Sequence, residues 1–418
     1  MSVNPVVRIS KVLSLLTVTL LVLAGVSACG TSSDSTQDTI TIGASLSLKG
    51  DFSDSGLGLK KGYELWADNI NKSGGLLGKQ IKIDILDDGG TPAQVTTNIN
   101  TLIHNHKDSL VLGEVITGLA IPGFETADRY GYAYISPGGL TGKITAAEKD
   151  DNKHNVFGIS LPIKSYLSSF DQYVLSLPAD QKPQTVAFMG SQSPFATQQL
   201  AFSKAEIGDK LKVVLDAGGS YPEETTDYTP MAQQVVNSKA DIVVLGSGSS
   251  AEAGAFIKAF KQQHYNPKAL IATGGPDEGK AFLDAVGGAD TAEGVFVPNS
   301  GWYPQIKNYQ NDVFTKSYVA KYGGTADEIA SDTVQGYAAG QVLEQAVKKA
   351  NSFDNAKLQD VLKSASFDTV QGPVQFDETD HTNKVAIPFL FQWLSGHLQA
   401  VYPANEAQAN PEYPKKTW

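Results

Sequence analysis

Between Ile40 and Gly90 the apolar residues change their period twice, and that switch constrains the fold more than any other feature of the chain. Ile40, Ile42, Ala44 and Leu46 alternate with Thr41, Gly43, Ser45 and Ser47, the two-residue period of a strand. Lys49-Gly50-Asp51-Phe52-Ser53-Asp54-Ser55-Gly56 breaks the alternation. Leu59, Gly62, Tyr63, Trp66, Ala67 and Ile70 then recur every three or four residues, which lines up one helix face. Gly74-Gly75 ends that helix, because glycine reaches the left-handed conformation at little cost. Ile81, Ile83 and Ile85 return to the strand period, and Asp87-Asp88-Gly89-Gly90 closes it. The stretch predicts strand, crossover helix and parallel strand.

The alternation continues downstream. Pro92 to His106 reads as a helix, Ser109–Gly113 as a buried strand, and a further helix runs from Gly118 toward Arg129. Strands are predicted at Tyr132–Ile135, Thr185–Gly190, Lys212–Leu215, Asp241–Gly246, Ala269–Thr273 and, as the last, Pro388–Trp393. Tyr221–Tyr228 reads as a polar loop. Asp87-Asp88 is expected to end a strand and cap the next helix. Strand and helix in turn imply an α/β fold of doubly wound parallel sheets, in which ligands bind beyond the carboxyl ends of the strands. Thr117 and Gly118 fall at such an end, where a helix N-terminus offers N–H groups and partial positive charge to an anion. Gly138 and Gly139 fall at the next, where the absence of a Cβ lets a ligand approach the backbone.

With 418 residues the chain is too long for one core, so two lobes are expected. A net charge of −11 argues against nucleic acid as a partner. Arginine occurs only at Arg8 and Arg129, so a ligand held by an arginine cluster is not expected. Arg8 and Lys11 precede an apolar run, Val12–Ala28, and Val26-Ser27-Ala28-Cys29 has the form of a lipobox. Residues 1–28 are read as a lipoprotein signal peptide, Cys29 as the acylated residue, and 29–38 as a flexible tether. Cys29 is the only cysteine, so no intrachain disulfide is expected.

Ile40-Thr41-Ile42-Gly43, the glycine-bearing helix, Ile70-Asn71-Lys72-Ser73-Gly74-Gly75-Leu76-Leu77-Gly78-Lys79 and the Asp87-Asp88 strand end together resemble the branched-chain amino-acid-binding family. Phe367–Asp377 resembles that family's third crossing, Phe-x-x-x-x-Gly-x-x-x-Phe-Asp. The resemblance implies a type I periplasmic-binding fold: residues 39–157 with 299–366 as one lobe, 158–298 with 367–402 as the other, three hinge crossings, and an extended tail over 403–418. It implies a monomeric, lipid-anchored receptor outside the cytoplasmic membrane that delivers a small molecule to ABC permease subunits, with no cofactor, no metal and no enzymatic activity. A ligand-sensing receptor of the same fold is the alternative. The implied ligand is a branched-chain or other neutral amino acid, or a related amide, urea-like compound or aromatic acid.

The same resemblance implies the site residues. Thr117 and Gly118 hold the ligand with Gly138, Gly139 and Leu140; the second lobe contributes Tyr166, Phe195, Gly248, Ser249 and Asp277, with Glu278 as the alternative acid; Trp302 stands near the hinge. Ser55 and Ser249 occupy positions where the family carries aromatics, and Leu140 replaces a threonine. With Asp277 in the cleft, a cationic or N–H-rich ligand gains weight. No nucleophile elbow, phosphate loop or dinucleotide fingerprint is present, and His104-x-His106 is the only paired histidine motif.

Overall fold

The structure is a computed structural model that describes residues 38–138, 155–299 and 301–418. Gly139, Leu140, Cys29 and the leader read before it lie outside the described residues. The first sheet takes its strands from β1 (Thr39–Leu46), α1 (Ser53–Lys72), β2 (Gln80–Asp87), α2 (Pro92–Asn100), β3 (Leu110–Leu112), α3 (Thr117–Asp128), β4 (Tyr134–Ser136) and β5 (Val156–Gly158). They lie in the order β2-β1-β3-β4-β5, every pair parallel. The reversal of order at β1 and β3 puts helices on both faces, as the alternating sequence requires.

The second sheet is built along α4 (Ser168–Ser176), β6 (Thr185–Ser191), α5 (Pro194–Ile207), β7 (Lys212–Tyr221), α6 (Thr229–Ser238), β8 (Ile242–Gly246), α7 (Ser250–Gln262), β9 (Ala269–Ala272), α8 (Lys280–Val286), α9 (Ala289–Ala292) and β10 (Val295–Asn299). The chain then returns to the first lobe through α10 (Asn311–Tyr322), α11 (Ser331–Ala350), α12 (Asn355–Ser364), β11 (Ser366–Thr369) and β12 (Gly372–Gln375), and finishes in the second with β13 (Phe389–Leu394) and β14 (His397–Tyr402). The second sheet runs β14-β13-β10-β9-β8-β6-β7, antiparallel only at β10/β13 and β13/β14. β8 and β9 are buried along their whole length, so they read as unbroken apolar runs.

Each sheet carries a core on both faces. Ile42, Trp66, Tyr337 and Val342 belong to one core of the first lobe, and Val95, Leu119, Phe124 and Tyr134 to the other. Phe256, Phe260 and Trp393 sit on one side of the second sheet, Phe170, Phe188 and Phe296 on the opposite side. Within the first lobe α1 and α11 touch backbone to backbone: a Cβ on Gly62 would stand 2.4 Å from the Thr333 carbonyl oxygen, and one on Gly340 would stand 2.3 Å from the Trp66 ring. This seam lets both helices begin beside each other at the rim of the first lobe.

Several boundaries differ from the sequence expectation. Phe367, Val374 and Phe376 are buried in the first lobe's core, so residues 367–376 belong with that lobe and the third crossing follows Phe376. The apolar pairing of the β11/β12 hairpin with α11 decides this. Residues 403–418 are not a free arm: Lys415 N–H donates to Lys268 O at 2.7 Å, Gln392 and Glu412 exchange hydrogen bonds, and Trp418 Nε1 donates to Thr291 O at 2.9 Å. A further strand, β14, follows Pro388–Trp393, because Ser395-Gly396 turns the chain back. Asp88 does not cap α2, whose N-cap is Thr91; it accepts from Ser45 and Ser47 at 3.0 and 2.7 Å and ties β1 to the turn after β2. The helix from Pro92 widens into a π-helix at Thr101–His106, and β7 extends as far as Tyr221.

Candidate ligand-binding cleft

The carboxyl ends of the two sheets face each other across a cleft of about 810 Å³, counting the part open to solvent. From the first lobe come Asp51, Phe52, Asp54 and Ser55 before and within the first turn of α1, Val115, Ile116 and Thr117 at the start of α3, Gly138 after β4, Ser160, and Asp332 and Gln335 on α11. From the second come Tyr166, Phe195 at the start of α5, Glu223 after β7, Gly248–Ser250 after β8, and Gly274, Gly275, Asp277 and Glu278 after β9. The open-sheet rule for ligand position thus holds at the carboxyl ends of β1, β3, β4, β6, β7, β8 and β9.

Local structure fixes each of these groups. Ser249 caps α7, its hydroxyl accepting from Glu252 N–H at 3.2 Å, while Gly248 N–H donates to Glu252 Oε2 at 2.8 Å. The Tyr221 hydroxyl donates to the other Glu252 oxygen, so this buried acid is a strut under the loop. Gly275 has φ +103°, and a Cβ there would stand 2.5 Å from the Ser249–Ser250 backbone, so only glycine lets the β8 and β9 loops meet. Glu114 is buried, and its Oε1 accepts from the N–H groups of Val115 and Ile116 at 2.8 and 3.2 Å, holding the turn into α3 from behind. Tyr166 and Phe195 meet edge to face with centroids 5.3 Å apart and form an aromatic wall.

The lobes touch at one edge of the cleft, where Ser331 N–H donates to Asp277 O at 3.1 Å. Four acids gather there. Asp277 and Glu278 reach from the second lobe toward Asp54 and Asp332 at the beginnings of α1 and α11. Burial pushes Asp277 up to about 6, against the pull of a hydrogen bond from Ser331. Burial pushes Asp332 up to about 7, with Asp277 and Asp54 adding repulsion and Ser55 opposing it with a hydrogen bond. Glu278 is raised well above the usual carboxylate range, first by burial and then by Asp332 and Asp277. Glu223 is pushed to about 7, by burial and then by Glu252 and Glu224. The Tyr166 phenol is likewise raised, by burial and by the acids facing it. Among the described residues no lysine, arginine or histidine lines the cleft.

Of the residues picked from sequence, Ser55, Thr117, Gly138, Tyr166, Phe195, Gly248, Ser249 and Asp277 meet in this one cleft. Gly118 stands behind Thr117, and Glu223 Oε2 would lie 3.6 Å from a Cβ on it. Trp302 is elsewhere: it is buried in the first lobe's core and its indole N–H donates to Asn311 Oδ1 at 2.7 Å, so its ring and its polar atom are both already engaged. Asp51, Asp54, Glu223 and Asp332 were missed. Each is an acid within a few residues of a strand's carboxyl end or in the first turn of a helix that starts at the cleft, and that position was the available signal. Among the described residues one trio, Asp84, His106 and Asp108, brings metal-ligand-type atoms within 4.8 Å of one another. It lies at the amino end of β3, away from the cleft, and His106 pairs with Asp84 at 2.7 Å.

Two α/β lobes with a solvent-open cleft between their strand ends have the architecture of a two-lobed periplasmic binding protein. A profile of the periplasmic binding protein family matches residues 39–396, and the chain belongs to that family. It is 23% identical over 364 residues to Leu/Ile/Val-binding protein homolog 7 of Brucella melitensis biotype 1, covering 82% of this chain and 86% of that one. It is 25% identical over 386 residues to the Leu/Ile/Val-binding protein BraC3 of Rhizobium johnstonii, covering 86% and 93%. Among solved structures it matches the Streptococcus pneumoniae branched-chain amino acid substrate-binding protein LivJ in complex with isoleucine, with TM-score 0.73, 20% identity and 86% and 98% of the two chains covered. It also matches a Rhodopseudomonas palustris ABC-transporter solute-binding protein in complex with benzoate, with TM-score 0.71, 21% identity and 91% and 98% covered. At these identities the likeness is one of fold, and the isoleucine and the benzoate belong to those proteins.

Proposed function

We propose that this protein is the solute-binding component of an ABC importer, held outside the cytoplasmic membrane by an acylated Cys29, and that it captures a small polar solute by closing its lobes. The observation that carries this reading is the convergence of Ser55, Thr117 and Asp332 from one lobe with Tyr166, Phe195 and Asp277 from the other on a single cleft. The family membership and the binding-protein names of the relatives support it. Hinge motion at three crossings is the ordinary way such lobes close, and closure couples capture to docking on a permease. Thr117 opens α3, where Leu119 and Ala120 N–H already donate to Ile116 O and no side chain caps the helix, so the Thr117 and Gly118 N–H groups are the ones offered to a polar solute. Tyr166 and Phe195 supply apolar contact, and the acids supply acceptors. The described lining of the cleft offers no histidine, lysine or cysteine for nucleophile-and-base chemistry, and the solute is expected to leave unchanged.

Two measurements test this. Uptake of the bound solute should fall in cells lacking the gene and return with a plasmid copy, whereas undiminished uptake, or recovery of a chemically altered solute from the purified protein, contradicts the reading. An alkyne-bearing palmitate should label the wild-type protein and not Cys29→Ala; equal labelling contradicts acylation at Cys29.

A further inference from the structure

We propose that the cleft takes a small organic cation bearing N–H donors on an amine or guanidinium head, and that it needs no carboxylate from its ligand. This deepens the binding-protein reading and rests on it. Among the described residues the cleft is lined by six carboxyl groups and by no cationic side chain. The acids come from both lobes, so a ligand between them satisfies acceptors on both sides at once. Asp332 receives a hydrogen bond from Ser55 and Asp277 one from Ser331, but Glu278 Oε2 finds no partner among the described residues although Glu278 is only 7% exposed. A buried acceptor left in this state is costly, and a donor carried in by the ligand removes the cost.

The other end of the cleft points the same way. The first turn of α3 is where an anionic ligand group is ordinarily received, yet Glu223 lies against it at Gly118, reaching over from the second lobe. That carboxyl answers the positive end of α3 and repels a ligand carboxylate. Between the two acidic ends stands the wall of Tyr166 and Phe195, with Val115 and Ile116 nearby. Aromatic faces attract cations, and an apolar wall suits an alkyl spacer better than a hydrated metal ion.

The test is calorimetric titration of the full-length protein in detergent at pH 8 with agmatine, putrescine, tetramethylammonium, calcium, leucine and benzoate as probes. Agmatine or putrescine should bind and release protons, seen as a dependence of the heat on the buffer's ionisation enthalpy. Tetramethylammonium, which has no N–H, should bind at least ten-fold more weakly. Glu278→Gln and Glu223→Gln should each weaken agmatine binding ten-fold or more while the proteins remain folded by circular dichroism. Failure of both N–H-bearing cations to bind overturns the proposal, as do calcium binding in their place and agmatine affinity unchanged in both variants. Leucine or benzoate binding with the cations silent overturns the cation and leaves the solute-binding reading standing.

Discussion

Glu114 shows how a buried acid serves structure without touching a ligand. Its Oε1 holds two backbone N–H groups while its Oε2 has no partner among the described residues, and burial pushes the carboxyl up to about 8, which favours the protonated form at neutral pH. Glu114→Gln keeps the accepting oxygen and the neutral state, and should change stability by less than about 1 kcal/mol in urea unfolding. Glu114→Ala strands both N–H groups and should cost about 1–3 kcal/mol. Equal losses in the two variants would contradict the role assigned to Oε1. The sequence displayed Glu114 at a strand end but gave no means of telling this inward-facing strut from the cleft acids, because the difference lies in which way the loop turns. Thr117 was legible because helix starts and strand ends are local signals, whereas Asp277 came from the family resemblance. Trp302 was misplaced because an aromatic beside a hinge fits a ligand wall as well as it fits a core.

At the scale of elements, the α1–α11 seam decides where Asp54, Ser55 and Asp332 stand. Gly62 and Gly340 allow the helices to touch, and any side chain there separates them. Gly62→Val should destabilise the protein by about 1–3 kcal/mol through overpacking. It should also weaken ligand binding, since the two helix starts would part; a stability loss with unchanged affinity would detach the seam from the site. The helix face of α1 was plain in the sequence from its three- and four-residue spacing. Its partner was not, because nothing local joins residues near 62 to residues near 336. For the same reason the β11/β12 hairpin was assigned to the wrong lobe: its strand pattern shows that it pairs, not what it packs upon. β14 was missed because Ser395-Gly396 is too brief a turn to stand out in an apolar run.

For the molecule as a whole, the raised carboxyls couple protons to stability and to closure. Asp277, Glu278, Asp332 and Glu223 lie above the usual carboxylate range in the folded state, so between the unfolded value near 4 and about 7 the folded protein holds more protons than the unfolded chain. Stability without ligand should therefore fall as pH rises from about 4 to about 7, read as a falling urea midpoint. Above pH 7 the buried Lys415, lowered by burial to about 7, acts in the opposite sense, because the unfolded chain then binds the extra proton. A midpoint that rises steadily from pH 4 to 7 would contradict the folded-state burden of these acids. The two-lobed α/β plan was readable from the order of periods along the chain. The charge of the cleft was not, because Asp51, Asp54, Glu223, Asp277, Glu278 and Asp332 are scattered over most of the sequence and meet only when the lobes face each other.

Spin-label distance across the cleft tests the central claim most directly. Lys49→Cys and Glu224→Cys place labels on exposed positions at the two rims, and the native cysteine is confined to Cys29. At pH 5 Asp277, Glu278 and Asp332 carry fewer charges, with Asp51, Asp54, Glu223 and Tyr166 facing them, and the distance should be short. At pH 8 without ligand, repulsion between the acids of the two lobes should lengthen and broaden it. Agmatine at pH 8 should restore the short distance. One unchanged distribution under all three conditions would contradict an account in which the lobes close over an acidic cleft.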